Sequence, residues 1–185
     1  MSNIGKFFNT DIKKINYDLK FLDNIFIDEA KKLLPNNNYI GFSLTHANEK
    51  RIKHWPINKF IDLANKIKAK NKTPVFFVEK KNQDIVNEIK SKVPEALFPE
   101  HKSTLASPPL VTALASRLEM AISIDNGVMH MMSLADVPMI VLFGPTKPEK
   151  FAPNKKNVII LDSKKIYNSD DISKIKTEDV LKYMD

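Results

Sequence analysis

Between positions 120 and 146 the chain changes character in an order that leaves few folds open. The apolar run Met120-Ala121-Ile122-Ser123-Ile124 stops at Asp125, Gly127 follows, and a helix-compatible stretch over 130–135 begins at once. A second apolar run over 137–143 then ends in Gly144-Pro145-Thr146. The order is strand, glycine turn, helix, strand, with the glycine at the mouth of the helix. A helix start aims unpaired backbone N–H groups and a partial positive charge outward, so it is a ready site for an anion.

The same alternation extends along the chain. Residues 39–43 predict a first strand, and Pro56 opens a helix with Ile57, Phe60, Ile61, Leu63, Ala64 and Ile67 on one broad face. Residues 73–78 predict a second strand, and a helix over 81–92 turns Ile85, Val86 and Ile89 inward. A weak third strand is expected at Ala96-Leu97-Phe98. Ser107 reads as an N-cap, with Pro108 and Pro109 in the first turn of a helix reaching about Leu118. Strands four, five and six fall at 120–124, 139–143 and 157–161, and Thr177 caps a closing helix. Strands alternating with helices, without a hairpin signal, argue for an α/β fold. Its core is a Rossmann-like parallel sheet with helices on both faces. Residues 1–38 lack this pattern and read as a connecting segment with a short helix over 26–34, which leaves 39–185 as the domain.

Composition narrows the function. A chain of 185 residues can bury a real core. It has no apolar run near the ~20 residues that span a bilayer, and its start has no signal-peptide core, so a cytoplasmic address is expected. With no cysteine, disulfides and thiolate metal sites are excluded. The net charge of +7 comes from lysines scattered among carboxylates, with Arg51 and Arg117 as the only arginines. An anionic small molecule or a membrane-proximal acceptor accounts for that charge at least as well as a nucleic acid does. The chain has no G-x-G-x-x-G after the first strand, no G-x-x-x-x-G-K-[ST] and no G-x-S-x-G, and its four histidines lack metal-ligand spacing.

In the doubly wound order 3-2-1-4-5-6, ligands bind beyond the carboxyl ends of strands 1 and 4. The loops leaving those strands are 44–54, which carries Lys50, Arg51, Lys53 and His54, and 125–127. A basic loop would then face a helix start across the crevice. Each residue there has two readings. Gly127 admits a phosphate close to the backbone, or only makes a tight turn. Asp125 accepts hydrogen bonds from sugar hydroxyls, or only caps the helix. His130 donates a neutral hydrogen bond to a phosphate oxygen, or lies at the surface. Thr146 offers a hydroxyl on the same sheet edge, or stabilises its turn.

Taken together, Lys53-His54-Trp55-Pro56, Asp125-Asn126-Gly127-Val128-Met129-His130 and Phe143-Gly144-Pro145-Thr146 resemble the family-9 glycosyltransferases. These are the bacterial heptosyltransferases of lipopolysaccharide core assembly. The resemblance runs from about residue 39 to the end. It implies one half of the two-domain GT-B arrangement, the half that binds a nucleoside-diphosphate sugar, typically ADP-heptose, with no cofactor and no metal. It further implies that Lys53 contacts the donor phosphates and that the backbone around Gly127, Val128, Met129 and His130 cradles the diphosphate. Asp125 would reach the donor sugar, with Ser43, Asn126 and Thr146 completing the donor-binding set. The family reaction is inverting, with the base on the amino-terminal acceptor domain, so no catalytic residue and no transfer by this chain alone are expected. The expected partners are the donor, that acceptor domain or a second copy in its place, and the inner-membrane surface, but no nucleic acid. Two positions depart from the family pattern. Asn126 stands where Ser or Thr is usual, and the stretch from Val78 to Gln83 lacks a glycine-rich turn and has Gln83 near the place of its Glu. Two other readings stand beside this one: a non-catalytic nucleotide or nucleotide-sugar binding module, and a basic nucleic-acid-binding domain.

Overall fold

The computed structural model describes residues 19–45 and 54–184. Helix α1 (Asn24–Leu33) precedes strand β1 (Tyr39–Ser43), and α2 (Ile57–Lys68) leads to β2 (Thr73–Phe77). Helices α3 (Gln83–Lys92) and α4 (Pro108–Ala115) separate β2 from β3 (Leu118–Ile124), and α5 (Gly127–Leu134) joins β3 to β4 (Met139–Phe143). The short α6 (Pro148–Phe151) precedes β5 (Val158–Asp162), and α7 (Ser163–Tyr167) and α8 (Thr177–Leu181) follow it. The strands form one sheet in the order β2-β1-β3-β4-β5, and every pairing is parallel.

Buried side chains sort by strand period between two cores, one on each face of the sheet. Ile40, Phe42, Phe76, Ile122, Ile124, Ile140 and Leu142 pack with α2, α3 and the segment around α8. Their neighbours Tyr39, Val75, Phe77, Ala121, Met139, Val141 and Phe143 pack with α1, α4 and α5. Strands read as continuous apolar runs because both of their faces are covered. Helix α1 belongs to this packing: Ala30 and Leu34 are buried in the second core. Arg117, in the turn before β3, donates to the carbonyls of Leu34 at 3.1 Å and Asn36 at 3.1 Å.

Several local expectations are corrected. The third strand is reduced to one parallel bridge between Leu97 and Val75. Pro99 opens a 3-10 turn, Pro99–Lys102, two residues later, and proline has no N–H with which to extend a ladder. Because Leu97 lies beyond β2, the spatial order remains the expected 3-2-1-4-5-6, with strands four to six appearing as β3, β4 and β5. Ser107 does stand at the N-cap of α4 with Pro108 and Pro109 in the first turn, but its hydroxyl donates to the Leu105 carbonyl at 2.7 Å and makes no capping bond. Helix α4 stops at Ala115, and Leu118 already begins β3. Thr177 is the first helical residue of α8 rather than its cap, and the helix start is held by the Asp179 carboxylate accepting from the Lys176 N–H at 3.0 Å. Among the described residues no helix is long and apolar enough to cross a membrane.

Candidate functional site

The strand order brings the carboxyl ends of β1 and β3 side by side, and Asn126 joins them. Its Nδ2 donates to Ser43 Oγ at 2.7 Å and to the Thr45 carbonyl at 2.9 Å. Its Oδ1 accepts from the Met129 N–H at 2.9 Å, which makes Asn126 the N-cap of α5. A buried polar side chain is tolerated when its donors and acceptor are matched in this way. Asn126 therefore locks the mouth of α5 to the end of the first strand.

Capping by Asn126 consumes one of the orphan amides of α5 and leaves others. Among the described residues the N–H groups of Gly127 and Val128 have no acceptor. Gly127 is exposed, its φ is not positive, and a Cβ built on it would meet nothing within 4 Å. Neither turn geometry nor protein packing therefore requires glycine at this position. Gly144 is the opposite case: a Cβ there would lie 2.9 Å from the Ile172 backbone N and 2.7 Å from Ile172 Cβ. Its glycine serves packing, whereas the empty space at Gly127 opens onto a cleft.

That cleft has a volume of about 830 Å³, within the ~300–1,000 Å³ range of small-molecule sites. Asp125, Asn126, Gly127, Val128 and His130 line one side. Across from them stand Val78, Glu79 and Lys80 from the end of β2, and Glu100 and His101 from the 3-10 turn. Val111 and Pro108 of α4 and Ala106 supply apolar wall. Ser43 and Met129 are fully buried and do not line the cleft; both act through Asn126. Thr146 lies after β4, outside the lining, and its Oγ1 is buried without a partner among the described residues. Lys53, Lys50 and Arg51 fall outside the described residues. Among the described residues, no group of three or more His, Cys, Asp or Glu side chains is placed to hold a metal.

The wall beyond β2 is rigid and holds an unusual carboxyl group. Pro99 is buried, and His101 Nε2 donates to the Val78 carbonyl at 2.7 Å, with its ring against Phe98. Glu100 sits between them, half-buried. Burial, with Glu79 nearby and only Lys80 opposing, pushes its carboxyl from 4.5 up to about 7.

Trp55, just before α2, is anchored to the segment before α8. The indole is buried, packs edge-on against Phe60, and donates from Nε1 to the Ile175 carbonyl at 2.9 Å. Lys59 Nζ donates to the same carbonyl at 2.7 Å and to that of Ser173 at 2.6 Å. Burial lowers the Lys59 pKa against the opposing pull of Asp171 and the α8 carboxylates.

The profile of glycosyltransferase family 9 (heptosyltransferase) matches residues 8–182. The chain belongs to this family. A lipooligosaccharide heptosyltransferase 2 of Campylobacter jejuni is 23% identical over 143 residues, covering 76% of this chain and 42% of that protein. A family-9 glycosyltransferase of Veillonella parvula superposes with a TM-score of 0.73 at 20% identity, over 88% of this chain and 51% of the other. An E. coli heptosyltransferase solved with ADP-2-deoxy-2-fluoro heptose gives a TM-score of 0.62 at 19% identity, over 84% of this chain and 46% of the other. The chain thus spans about half the length of the relatives it matches.

In this family-9 chain the structure gathers Asp125, Asn126, Gly127, Val128 and His130 at one cleft and sets Ser43 and Met129 beneath them. Sequence reasoning missed the opposite wall, formed by Lys80, Glu100 and His101. A signal existed: Glu100 and His101 follow a short apolar run and a proline on the same sheet edge as the glycine turn.

Proposed function

We propose that this family-9 domain holds a nucleoside-diphosphate sugar, ADP-linked, as the donor-side half of an inverting glycosyltransferase acting on a lipopolysaccharide-type acceptor. The observation that carries the reading is the mouth of α5. Two amides without acceptors among the described residues and a glycine whose Cβ position is empty border a cleft wide enough for a nucleotide. A diphosphate accepts hydrogen bonds from these amides and is favoured by the helix dipole. His130, on the first turn of the same helix, adds a neutral donor. Lys53, by the family resemblance, is assigned to the donor phosphates; on either side of it in sequence, Thr45 is bonded to Asn126 and Trp55 to Ile175. Asp125, unsuited to lie against a diphosphate, accepts from sugar hydroxyls. These donors stabilise the negative charge that grows on the departing diphosphate as an acceptor hydroxyl displaces it. The acceptor and the base that deprotonates it sit on a partner domain, so this chain by itself binds donor and transfers nothing. The E. coli relative with a fluorinated ADP-heptose supports the choice of donor.

Calorimetric titration with ADP, an ADP-sugar, a UDP-sugar and a generic oligonucleotide tests the reading. The ADP compounds should bind, and Lys53→Ala should weaken them. Oligonucleotide binding with no response to any nucleotide sugar would overturn it. A second reading is a nucleotide or nucleotide-sugar binding module without transfer. Failure of a family acceptor domain, supplied in trans, to restore transfer by a chain that binds donor would select that reading.

A further inference from the structure

We infer that Lys80 is a second cation for the bound diphosphate and holds it from the wall opposite α5. This rests on the nucleoside-diphosphate reading above and deepens it by one residue of the same site.

The sheet sets the geometry. Strand β1 stands between β2 and β3, so at the ~4.8 Å spacing of neighbouring strands their ends lie about 10 Å apart. Lys80 and Gly127 each stand three residues past the end of a strand, β2 at Phe77 and β3 at Ile124, and both line the cleft. A phosphate held at the α5 amides leaves a gap that a lysine's four-carbon stem covers. The backbone that carries Lys80 is fixed. The Asn82 N–H donates to the Glu79 carbonyl at 2.9 Å and closes a turn over 79–82, and Gln83 Nε2 donates to the Lys80 carbonyl at 2.7 Å. A carboxylate at position 83 could not make that second bond.

Charge then decides the role. Three carboxyl side chains, those of Glu79, Glu100 and Asp125, line the cleft, and among the described residues Lys80 is the one lysine or arginine that does so. A diphosphate entering such a cleft is repelled unless a cation offsets the carboxylates. Glu79 is paired with Lys81 at 3.0 Å, whereas Lys80 makes no ion pair among the described residues. Its Nζ donates to the Ser103 carbonyl at 3.3 Å, a long bond to a neutral acceptor. An ammonium group has three donors, so two remain for the oxygens of an anion. The α5 amides serve one side of that anion and Lys80 the other, an arrangement that suits two linked phosphates rather than a single carboxylate.

The test is calorimetry of the full chain with inorganic pyrophosphate and with ADP, on variants whose thermal melts match wild type. Lys80→Ala should weaken both ligands roughly 10-fold, the low end for a hydrogen bond to a charged group, because the residue is exposed. Lys80→Gln keeps a donor for the Ser103 carbonyl but no charge and should lose as much, whereas Lys80→Arg should keep most of the affinity. Lys92→Ala removes the same charge from α3, outside the cleft, and should bind as wild type does. Lys80→Ala binding both ligands as tightly as wild type would overturn the inference, and the donor site would still stand if Gly127→Ala weakens them. An equal loss in Lys80→Ala and Lys92→Ala would also overturn it, since the effect would then be one of net charge. If the wild-type chain binds neither ligand, the donor reading falls and the inference falls with it.

Discussion

Two polar knots, at Thr45 and at Trp55, are built on different principles. At Thr45 the knot is Asn126, a single amide with each of its bonds to a different segment: the end of β1, Thr45 beyond it and the start of α5. At Trp55 the knot is a buried aromatic ring whose polar edge, with Lys59, is fastened to carbonyls of 173–175. The first gets its specificity from hydrogen bonds and buries little apolar area. The second draws most of its stability from burial and uses hydrogen bonds to set direction. Changes at Trp55 should therefore be felt in folding, and changes at Asn126 in the site.

Trp55→Ala gives the largest effect. Emptying a fully buried aromatic site costs about 3–5 kcal/mol, and the Ile175 carbonyl also loses a donor. Urea unfolding should show a midpoint shift of that size. A loss below 1 kcal/mol would mean that α8 docks independently of Trp55. Asn126→Ala comes next, at about 1–3 kcal/mol, since it removes a cap and strands Ser43 and the Thr45 carbonyl. Asn126→Thr, which restores the residue type usual in the family, should keep the cap and recover part of that loss. The comparison breaks if Asn126→Ala lowers stability but leaves ADP affinity intact, because the knot would then not govern the cleft.

Glu100 provides a contrast to both knots, a carboxyl group with no hydrogen bond among the described residues. Its raised pKa means that the folded chain holds a proton which the unfolded chain has released between about pH 4.5 and 7. The folded state binds more protons there, so stability falls as pH rises through that window and the loss is complete above it. Partial exposure reduces the penalty to about 1–2 kcal/mol. Glu100→Gln should be more stable than wild type by that amount at pH 8, and the gain should vanish by pH 4 in paired urea titrations. A gain that persists at pH 4 would point to packing rather than charge.

The sheet was legible because its signals are local and redundant. Each strand is an apolar run, and the glycine turn with Asn126 marks the start of α5 within one residue. The third strand failed because a run of three apolar residues does not report the proline that cuts its ladder short. Within the site, Asp125 to His130 could be read from one contiguous motif. Two features could not be read in this way. The partners of Asn126, Ser43 and Thr45, lie some eighty positions away and meet it only through strand order. Glu100 is conspicuous by its burial and by the bonds it lacks, and neither is a property of sequence. Trp55 was grouped with a ligand-contacting motif, yet its bonds are to the fold.

The smallest expected effect separates site from scaffold most cleanly. Gly127 is the first residue of α5, and the space where a side chain would project is empty. Alanine is the better helix former and restricts the unfolded chain, so Gly127→Ala should leave stability unchanged or raise it by about 0.5 kcal/mol. The added methyl group would occupy the place where a phosphate approaches the Gly127 and Val128 amides, so ADP affinity should fall. Gly144→Ala is the control, because its methyl group would press on the Ile172 backbone and destabilise the chain. A variant as stable as wild type yet weaker for ADP is the outcome expected of a glycine kept for a ligand. If Gly127→Ala binds ADP as tightly as wild type, the diphosphate does not sit at the mouth of α5, and the knot at Asn126 serves the fold just as the one at Trp55 does.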